Sequence, residues 1–68
     1  MKPRQLEAFR TVMRGHTVTR TAELLFISQP AVTRLLADLE HSVGFTLFER
    51  RKGRLHATPE AQALYEEV

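Results

Sequence analysis

Four side chains near the middle of the chain have the chemistry to recognise the edge of a base pair. Gln29 can present an amide donor and acceptor to adenine, and Arg34 can donate two parallel hydrogen bonds to guanine. Pro30 and Thr33 are suited to a thymine methyl group or a phosphate. A good bidentate contact contributes about 1–3 kcal/mol of discrimination between base pairs, so these four side chains are candidates for base reading. A solvated helix face is the alternative that these residues leave open.

The segment from Ser28 to Gly44 predicts the helix that carries these side chains. Ser28 is a favoured N-cap, Pro30 is tolerated in a first turn, and Gly44 stands where a left-handed residue often ends a helix. The polar face therefore falls in the first two turns, near the positive end of the helix dipole, which favours an anionic partner. The opposite face is an apolar stripe at helical spacing: Val32, Leu35, Leu36, Leu39 and Val43.

A basic turn after this helix is the second candidate site. Residues 45–50 favour extended structure and residues 55–57 can return as a second strand, so together they predict a β-hairpin with a charged tip. A solvated turn is the alternative, but mutual repulsion among the charges favours an anionic partner. The tip places four cations in five positions: Arg50, Arg51, Lys52 and Arg54.

Two shorter helices are expected before Ser28. The first begins at Pro3 and runs to about Arg14, with an apolar face of Leu6, Phe9, Val12 and Met13. The second is capped by Thr17 or Thr19 and has an inward face of Val18, Ala22 and Leu25. This second helix and the Ser28 helix are joined by about three residues, which is the pattern of a helix-turn-helix.

A last helix is expected to start at Thr58, where a threonine cap is followed by a proline and an acidic residue. Its apolar stripe consists of Ala61, Leu64, Tyr65 and Val68. The phenylalanines occupy inward or strand positions, so core packing is expected for Phe9, Phe26, Phe45 and Phe48. Aromatic side chains held in a core are not stacking platforms for single strands, which favours duplex DNA over RNA.

Composition narrows the classes of function further. The chain has 68 residues and a net charge of +2, and all ten Lys and Arg lie in residues 1–54, whereas residues 55–68 contain three acids. A basic body with an acidic end favours a polyanionic partner for the body. Cysteine is absent, no catalytic set emerges, and His16, His41 and His56 lack ligand spacing, so we expect no enzyme activity, metal or cofactor. With neither a signal peptide nor an apolar run of roughly 20 residues, we expect a cytoplasmic protein without membrane contact.

Five sequence features occur in a fixed order along the chain: Ser28–Arg34, Leu39–Glu40, Gly44, Leu47–Arg50 and Thr58–Pro59. In this order they resemble the N-terminal winged helix-turn-helix domain of LysR-type transcriptional regulators. The resemblance covers essentially the whole chain, and the opening segment and the wing are most similar to members that respond to opines. Three positions depart from the family pattern without touching the reading face: Thr21, Ala57 and Ala61.

The resemblance implies a mainly α fold in which three helices and a two-stranded hairpin wing form a DNA-binding domain over residues 1–58. Residues 59–68 would begin a linker helix, and a C-terminal effector domain would be missing from this chain. The recognition helix, residues 28–43, would enter a major groove, and the wing, residues 50–54, would lie at the minor groove or backbone. The residues expected at the backbone or minor groove are Ser28, Thr17, Thr19, Arg4, Arg50, Arg51, Lys52 and Arg54.

The partners implied by the resemblance are double-stranded operator DNA, further copies of the chain and a small-molecule effector. The effector would bind the missing C-terminal domain, and the intact protein would be a homodimer or tetramer. Pairing of the linker helices would use the last apolar stripe, although packing of that stripe on its own domain is the alternative: Ala61, Leu64, Tyr65 and Val68. A winged-helix module that docks an acidic protein is the alternative function, because function depends on the site and not on the fold.

Overall fold

The computed structural model describes residues 2–15 and 17–68, so His16, one of the three histidines without ligand spacing, lies outside the described residues. Helices α1 and α2 both pack on α3, and the two strands pair with each other. This arrangement confirms the predicted winged helix-turn-helix fold. The elements in chain order are α1 (Pro3–Met13), α2 (Val18–Leu25), α3 (Gln29–Val43), β1 (Phe48–Arg51), β2 (Arg54–Ala57) and α4 (Pro59–Glu67).

Side-chain caps determine where three of the helices begin. The hydroxyl oxygens of Thr17, Ser28 and Thr58 each accept a hydrogen bond from the backbone N–H three residues later, at 3.0, 3.2 and 3.1 Å. Thr17 rather than Thr19 is therefore the cap of α2. Helix α3 ends as predicted at Gly44, whose φ of 84° lies in the left-handed region that suits a residue without a Cβ.

Phe9 lies at the centre of the hydrophobic core. Its side chain is fully buried, and its ring centroid is 5.9 Å from that of Phe48 and 6.2 Å from that of Tyr65. The inward faces of α1, α2 and α3 meet here as their apolar spacing predicts, with Leu35 and Val43 only partly buried. The core residues are Ala8, Phe9, Val12, Ala22, Leu25, Val32, Leu36, Leu39, Leu47, Ala61 and Leu64.

Two of the four phenylalanines lie outside the core, so the prediction for them was wrong. Phe26 is 94% exposed, and Phe45, which follows the end of α3, is 39% exposed. Phe26 ends α2 with a φ of 58°, a left-handed conformation in which the chain reverses direction. Because Leu25 already occupies the inward position, this reversal leaves the next side chain in solvent.

The wing is a hairpin closed by Lys52 and Gly53. Both residues have positive φ, 51° and 76°, the pattern of a type I′ turn, whose twist matches that of paired strands. The predicted extended segment from residue 45 becomes a strand only at Phe48. Its earlier backbone groups, at residues 46 and 47, bond to side chains of α3 and of the α4 cap instead of to a neighbouring strand.

Thr21 carries a stability defect that a single substitution should remove. Its side chain is fully buried in α2, and its hydroxyl oxygen has no hydrogen-bond partner within the described residues. Thr21→Val replaces that hydroxyl by a methyl group of similar size. Because an unsatisfied buried polar group costs about 1–3 kcal/mol, we expect the free energy of unfolding to rise by roughly 1 kcal/mol, measured by urea unfolding followed by circular dichroism.

Thr11 provides the matched control for this substitution. It is also a buried helical threonine, but its hydroxyl donates a hydrogen bond to the Glu7 carbonyl at 2.8 Å. Thr11→Val removes that bond, so it should leave the free energy of unfolding unchanged or lower it. Equal responses of the two variants would contradict the assignment of an unsatisfied hydroxyl to Thr21.

Candidate nucleic-acid interface

A concave cleft of about 860 Å³ lies between α3, the N-terminal end of α2 and the wing. All four predicted base-reading residues line it, together with Ala37 from the next turn of α3. The fold therefore places the four predicted base-reading side chains on one surface. The lining residues are Gly15, Thr17, Val18, Thr19, Gln29, Pro30, Thr33, Arg34, Ala37, Arg50, Gly53, Arg54 and Leu55.

One side of α3 forms the floor of this cleft. Gln29, Thr33 and Ala37 are spaced four residues apart and so lie on one helical face, and all three are exposed. The side chain of Arg34 is 83% exposed, and its Nε lies 3.9 Å from Asp38 Oδ2. An ion pair this long and this exposed contributes little to the stability of the fold. The guanidinium of Arg34 is therefore available to a ligand in the cleft.

The beginnings of α2 and α3 offer hydrogen-bond donors to an anion. The hydroxyl oxygens of Thr17 and Ser28 accept from Arg20 N–H and Ala31 N–H, which leaves each O–H group able to donate outward. Helix starts also carry unpaired backbone N–H groups and the positive end of the helix dipole. Thr17 and Thr19 line the cleft, whereas Ser28 lies outside its lining.

The wing contributes arginine side chains from both strands. Arg50 pairs with Leu55 across the hairpin, and both line the cleft. Arg51 stands directly opposite Arg54, and like charges in that position repel. Arg51 also forms an exposed ion pair of 3.0 Å with Glu49. The wing therefore retains uncompensated positive charge that an anion would neutralise.

Charge in the cleft has a single sign. Arg34, Arg50 and Arg54 line it, and no carboxylate does among the described lining residues. A concave surface of this kind concentrates the field of its charges and attracts polyanions. With amide and hydroxyl groups between the arginines, the cleft can bind phosphates at its edges and hydrogen-bond to bases in its floor.

Comparison with known proteins decides which family has this arrangement. The model for "Bacterial regulatory helix-turn-helix protein, lysR family" matches residues 3–62, which include the cleft, the wing and the start of α4. The chain belongs to the LysR family. The match confirms the family resemblance that the motif order indicates.

Individual members of the LysR family are similar over the whole chain. The regulatory protein NocR of Agrobacterium fabrum (strain C58 / ATCC 33970) is 50% identical over 68 residues, which are 100% of this chain and 23% of NocR. The octopine catabolism/uptake operon regulatory protein OccR of Rhizobium meliloti is 47% identical, with the same shares covered. The chain thus spans about a quarter of the length of these relatives. The name of OccR agrees with the resemblance to opine-responsive members.

A solved LysR-family structure has the same fold as this chain. The crystal structure of the CbnR DNA-binding domain in complex with DNA superposes with a TM-score of 0.90 and 33% identity. The superposition covers 98% of this chain and 77% of the CbnR chain.

Some predicted backbone contacts of this LysR-family domain lie away from the cleft. Arg4 is engaged within the fold: its Nη2 donates to the Leu25 carbonyl at 2.8 Å, and its Nη1 pairs with Glu7 at 2.9 Å. A phosphate would compete with these partners. Arg51 and Lys52 are exposed on the wing but do not line the cleft.

Helix α4 packs on its own domain more closely than a free linker helix would. Ala61 is fully buried and Leu64 is 8% exposed, both in the core of this chain. Tyr65 contacts Phe9 and is partly buried, and Val68 is 37% exposed. Of the four residues predicted for dimer pairing, Ala61 and Leu64 are therefore already covered within the domain, whereas Tyr65 and Val68 are only partly covered. Helix α4 begins at the Thr58 cap directly after β2, and its first turns pack on the core.

Sequence reasoning missed several residues in or beside the cleft, among them Ala37, Leu55 and Glu40. Ala37 could have been found, because it continues the reading face at helical spacing. Leu55 could not, since its place depends on the strand register. Glu40 belongs to the family motif Leu39–Glu40, but its hydrogen bonds gave no local signal, because its carboxylate accepts from backbone N–H groups seven and eight residues later. Across residues 2–15 and 17–68, no cluster of three His or acidic residues could hold a metal ion, and no helix is long and apolar enough to cross a bilayer.

Proposed function

We propose that this chain binds double-stranded operator DNA in a sequence-specific manner and so controls transcription. One observation carries the proposal: the polar face of α3 and the arginines of the wing line a single cleft without a carboxylate among the described lining residues. A major groove admits one α-helix and presents a distinct hydrogen-bonding pattern for every base pair. The similarity to a LysR-family domain that was crystallised with DNA supports this assignment.

In the proposed complex, α3 enters the major groove with its N-terminal half. Gln29, Pro30, Thr33 and Arg34 read base edges, with the amide and the guanidinium supplying the bidentate contacts. The wing, residues 50–54, follows the backbone to the minor groove, where an inserted arginine is attracted by a narrow A·T segment. Phosphate contacts come from Ser28, Thr17, Thr19, Arg50, Arg51, Lys52 and Arg54, with Arg4 available only after releasing its internal partners.

The whole protein to which this domain belongs is proposed to be a larger regulator. Residues 1–58 form its DNA-binding domain, and residues 59–68 begin a linker helix that pairs with the same helix of a second subunit. A homodimer or tetramer would place two domains on a dyad-symmetric operator. A C-terminal domain would bind a small-molecule effector, and the regulator would act in the cytoplasm, where a bacterial chromosome lies.

Selection of bound duplexes from a random pool tests the function directly. Purified chain should enrich a common sequence, and footprinting of the enriched duplexes should protect one major-groove segment with flanking minor-groove contacts. Recovery of no enriched motif by folded protein would overturn sequence-specific binding. Retention on heparin without a shift of any duplex at low salt would instead favour the module that docks an acidic protein.

A further inference from the structure

The short segment that leads into β1, residues 46–48, is held by a side chain of α3 and by the N-cap of α4. On one side, the carboxylate oxygen Oε2 of Glu40 accepts hydrogen bonds from Leu47 N–H at 2.7 Å and Phe48 N–H at 3.1 Å. Hydrogen bonds to an ionised carboxylate are shorter and roughly twice as strong as neutral ones. Glu40 lies on α3, so these bonds join the recognition helix to the root of the wing.

On the other side, Thr58 holds the same segment by hydrogen bonds to the carbonyl groups of Thr46 and Leu47. The Thr58 hydroxyl lies 2.8 Å from the Thr46 carbonyl oxygen and 3.2 Å from that of Leu47, and Thr58 N–H donates to the Leu47 carbonyl at 2.9 Å. The same hydroxyl oxygen accepts from Ala61 N–H as the cap of α4. The Leu47 side chain between the two is fully buried. We call Glu40, Thr58 and the enclosed segment 46–48 the wing clamp.

The wing clamp is the polar connection between the two parts of the candidate interface. No other hydrogen bond joins α3 to the hairpin in the part of the chain that the structure describes. The strand that leaves the clamp at Phe48 carries Arg50 two residues later, on the same face of the hairpin. Glu40 and Arg50 also border one small hollow of about 110 Å³ between α3 and the wing.

We infer that Glu40 and Thr58 are positioning residues that set the angle of the wing relative to α3. This inference rests on the proposed function, because the angle determines whether the wing arginines reach DNA while α3 occupies the groove. Glu40 defines where β1 begins with respect to the reading face. Thr58 ties that point to the start of α4, so a rotation of the linker helix would be transmitted to the wing.

The test compares Glu40→Ala with Glu40→Gln on the duplex enriched by the unaltered chain. A glutamine oxygen can accept both N–H groups, so Glu40→Gln should keep the wing contacts. Glu40→Ala frees the wing, so flanking minor-groove protection should disappear while the major-groove footprint of α3 remains. The negative slope of log affinity against log salt should become shallower by about 3.6, the share of the four wing phosphate contacts at roughly 0.9 each.

Removing the wing cations separates positioning from a general loss of structure. In a background of Arg50→Ala, Arg51→Ala, Lys52→Ala and Arg54→Ala, the change Glu40→Ala should cause no further weakening of the salt dependence. Ala8→Gly serves as a control that weakens the buried side of α1 without touching the clamp. Ala8→Gly should keep the flanking minor-groove protection at temperatures where circular dichroism shows that this variant and Glu40→Ala are both folded.

The outcomes distinguish this inference from the function on which it rests. Flanking protection that persists in Glu40→Ala, or an equal loss in Ala8→Gly, would overturn the positioning role while DNA binding stands. A further weakening of the salt dependence in the background without the four wing cations would also overturn it. Failure of the unaltered chain to select any duplex would count against the proposed function itself.

Discussion

Arg34→Ala is expected to weaken binding to the selected duplex by about 5- to 150-fold, the equivalent of the 1–3 kcal/mol that one bidentate base contact supplies. The guanidinium lies in the floor of the cleft and has only a long, exposed ion pair to release. Its loss therefore removes base contacts without breaking the fold. The expected signature is a loss of discrimination at one base pair, measured by fluorescence anisotropy on duplexes that vary that pair.

Arg10→Ala is the matched control for this prediction. Arg10 is exposed in the last turn of α1 and does not line the cleft, so its removal changes the net charge by the same amount. It should lower affinity for selected and scrambled duplexes slightly and equally, because it removes only long-range attraction. If Arg34→Ala also preserves the ratio between the two duplexes, Arg34 contacts no base.

The largest effect on stability is expected for Phe9→Ala. Truncating a buried phenylalanine to alanine typically costs about 3–5 kcal/mol, and Phe9 is fully buried between Phe48 and Tyr65. A domain of this size has a free energy of unfolding of only about 3–10 kcal/mol, at 0.05–0.15 kcal/mol per residue. The variant should therefore lose a large part of its free energy of unfolding and unfold at a lower temperature and urea concentration, as measured by circular dichroism and urea titration.

The same kind of substitution at Phe26 should have the opposite effect. Phe26 is 94% exposed and left-handed, so its ring contributes little burial while its backbone is strained. Phe26→Gly should raise the free energy of unfolding by about 1 kcal/mol, because glycine adopts this conformation without a Cβ clash. Destabilisation by Phe26→Gly, or tolerance of Phe9→Ala, would contradict the described core.

Local signals were sufficient to predict most of the helical framework. Ser28 and Gly44 mark the two ends of α3 by side-chain capping and by left-handed geometry, which depend only on neighbouring residues. The same holds for Thr58 at the start of α4 and for the Lys52–Gly53 turn. The reading face follows from helical spacing alone, so its placement in one cleft needed only the correct helix.

Features that depend on tertiary contacts could not be read from local pattern. The exposure of Phe26 depends on a chain reversal in the left-handed conformation, and no glycine at or next to this position indicates it in the sequence. Burial of Ala61 and Leu64 depends on the direction in which α4 leaves the wing. The role of Glu40 depends on backbone N–H groups that lie beyond the end of its own helix. In each case the deciding partner is distant in sequence or fixed by a backbone angle.

The tight turn at Lys52 and Gly53 constrains how such a wing can change its length. Successive strand residues alternate between the two sides of a hairpin, so a one-residue insertion in β1 would transfer Arg50 to the opposite side. Insertions that keep Arg50 on the same side of the hairpin must add two residues to each strand. Each such step extends the hairpin by about 7 Å, close to the rise of two base pairs at about 3.4 Å each. A wing that keeps Arg50 on the same side can therefore lengthen only in steps of about 7 Å. Each step is close to the spacing of two phosphates along the DNA strand that the wing would follow.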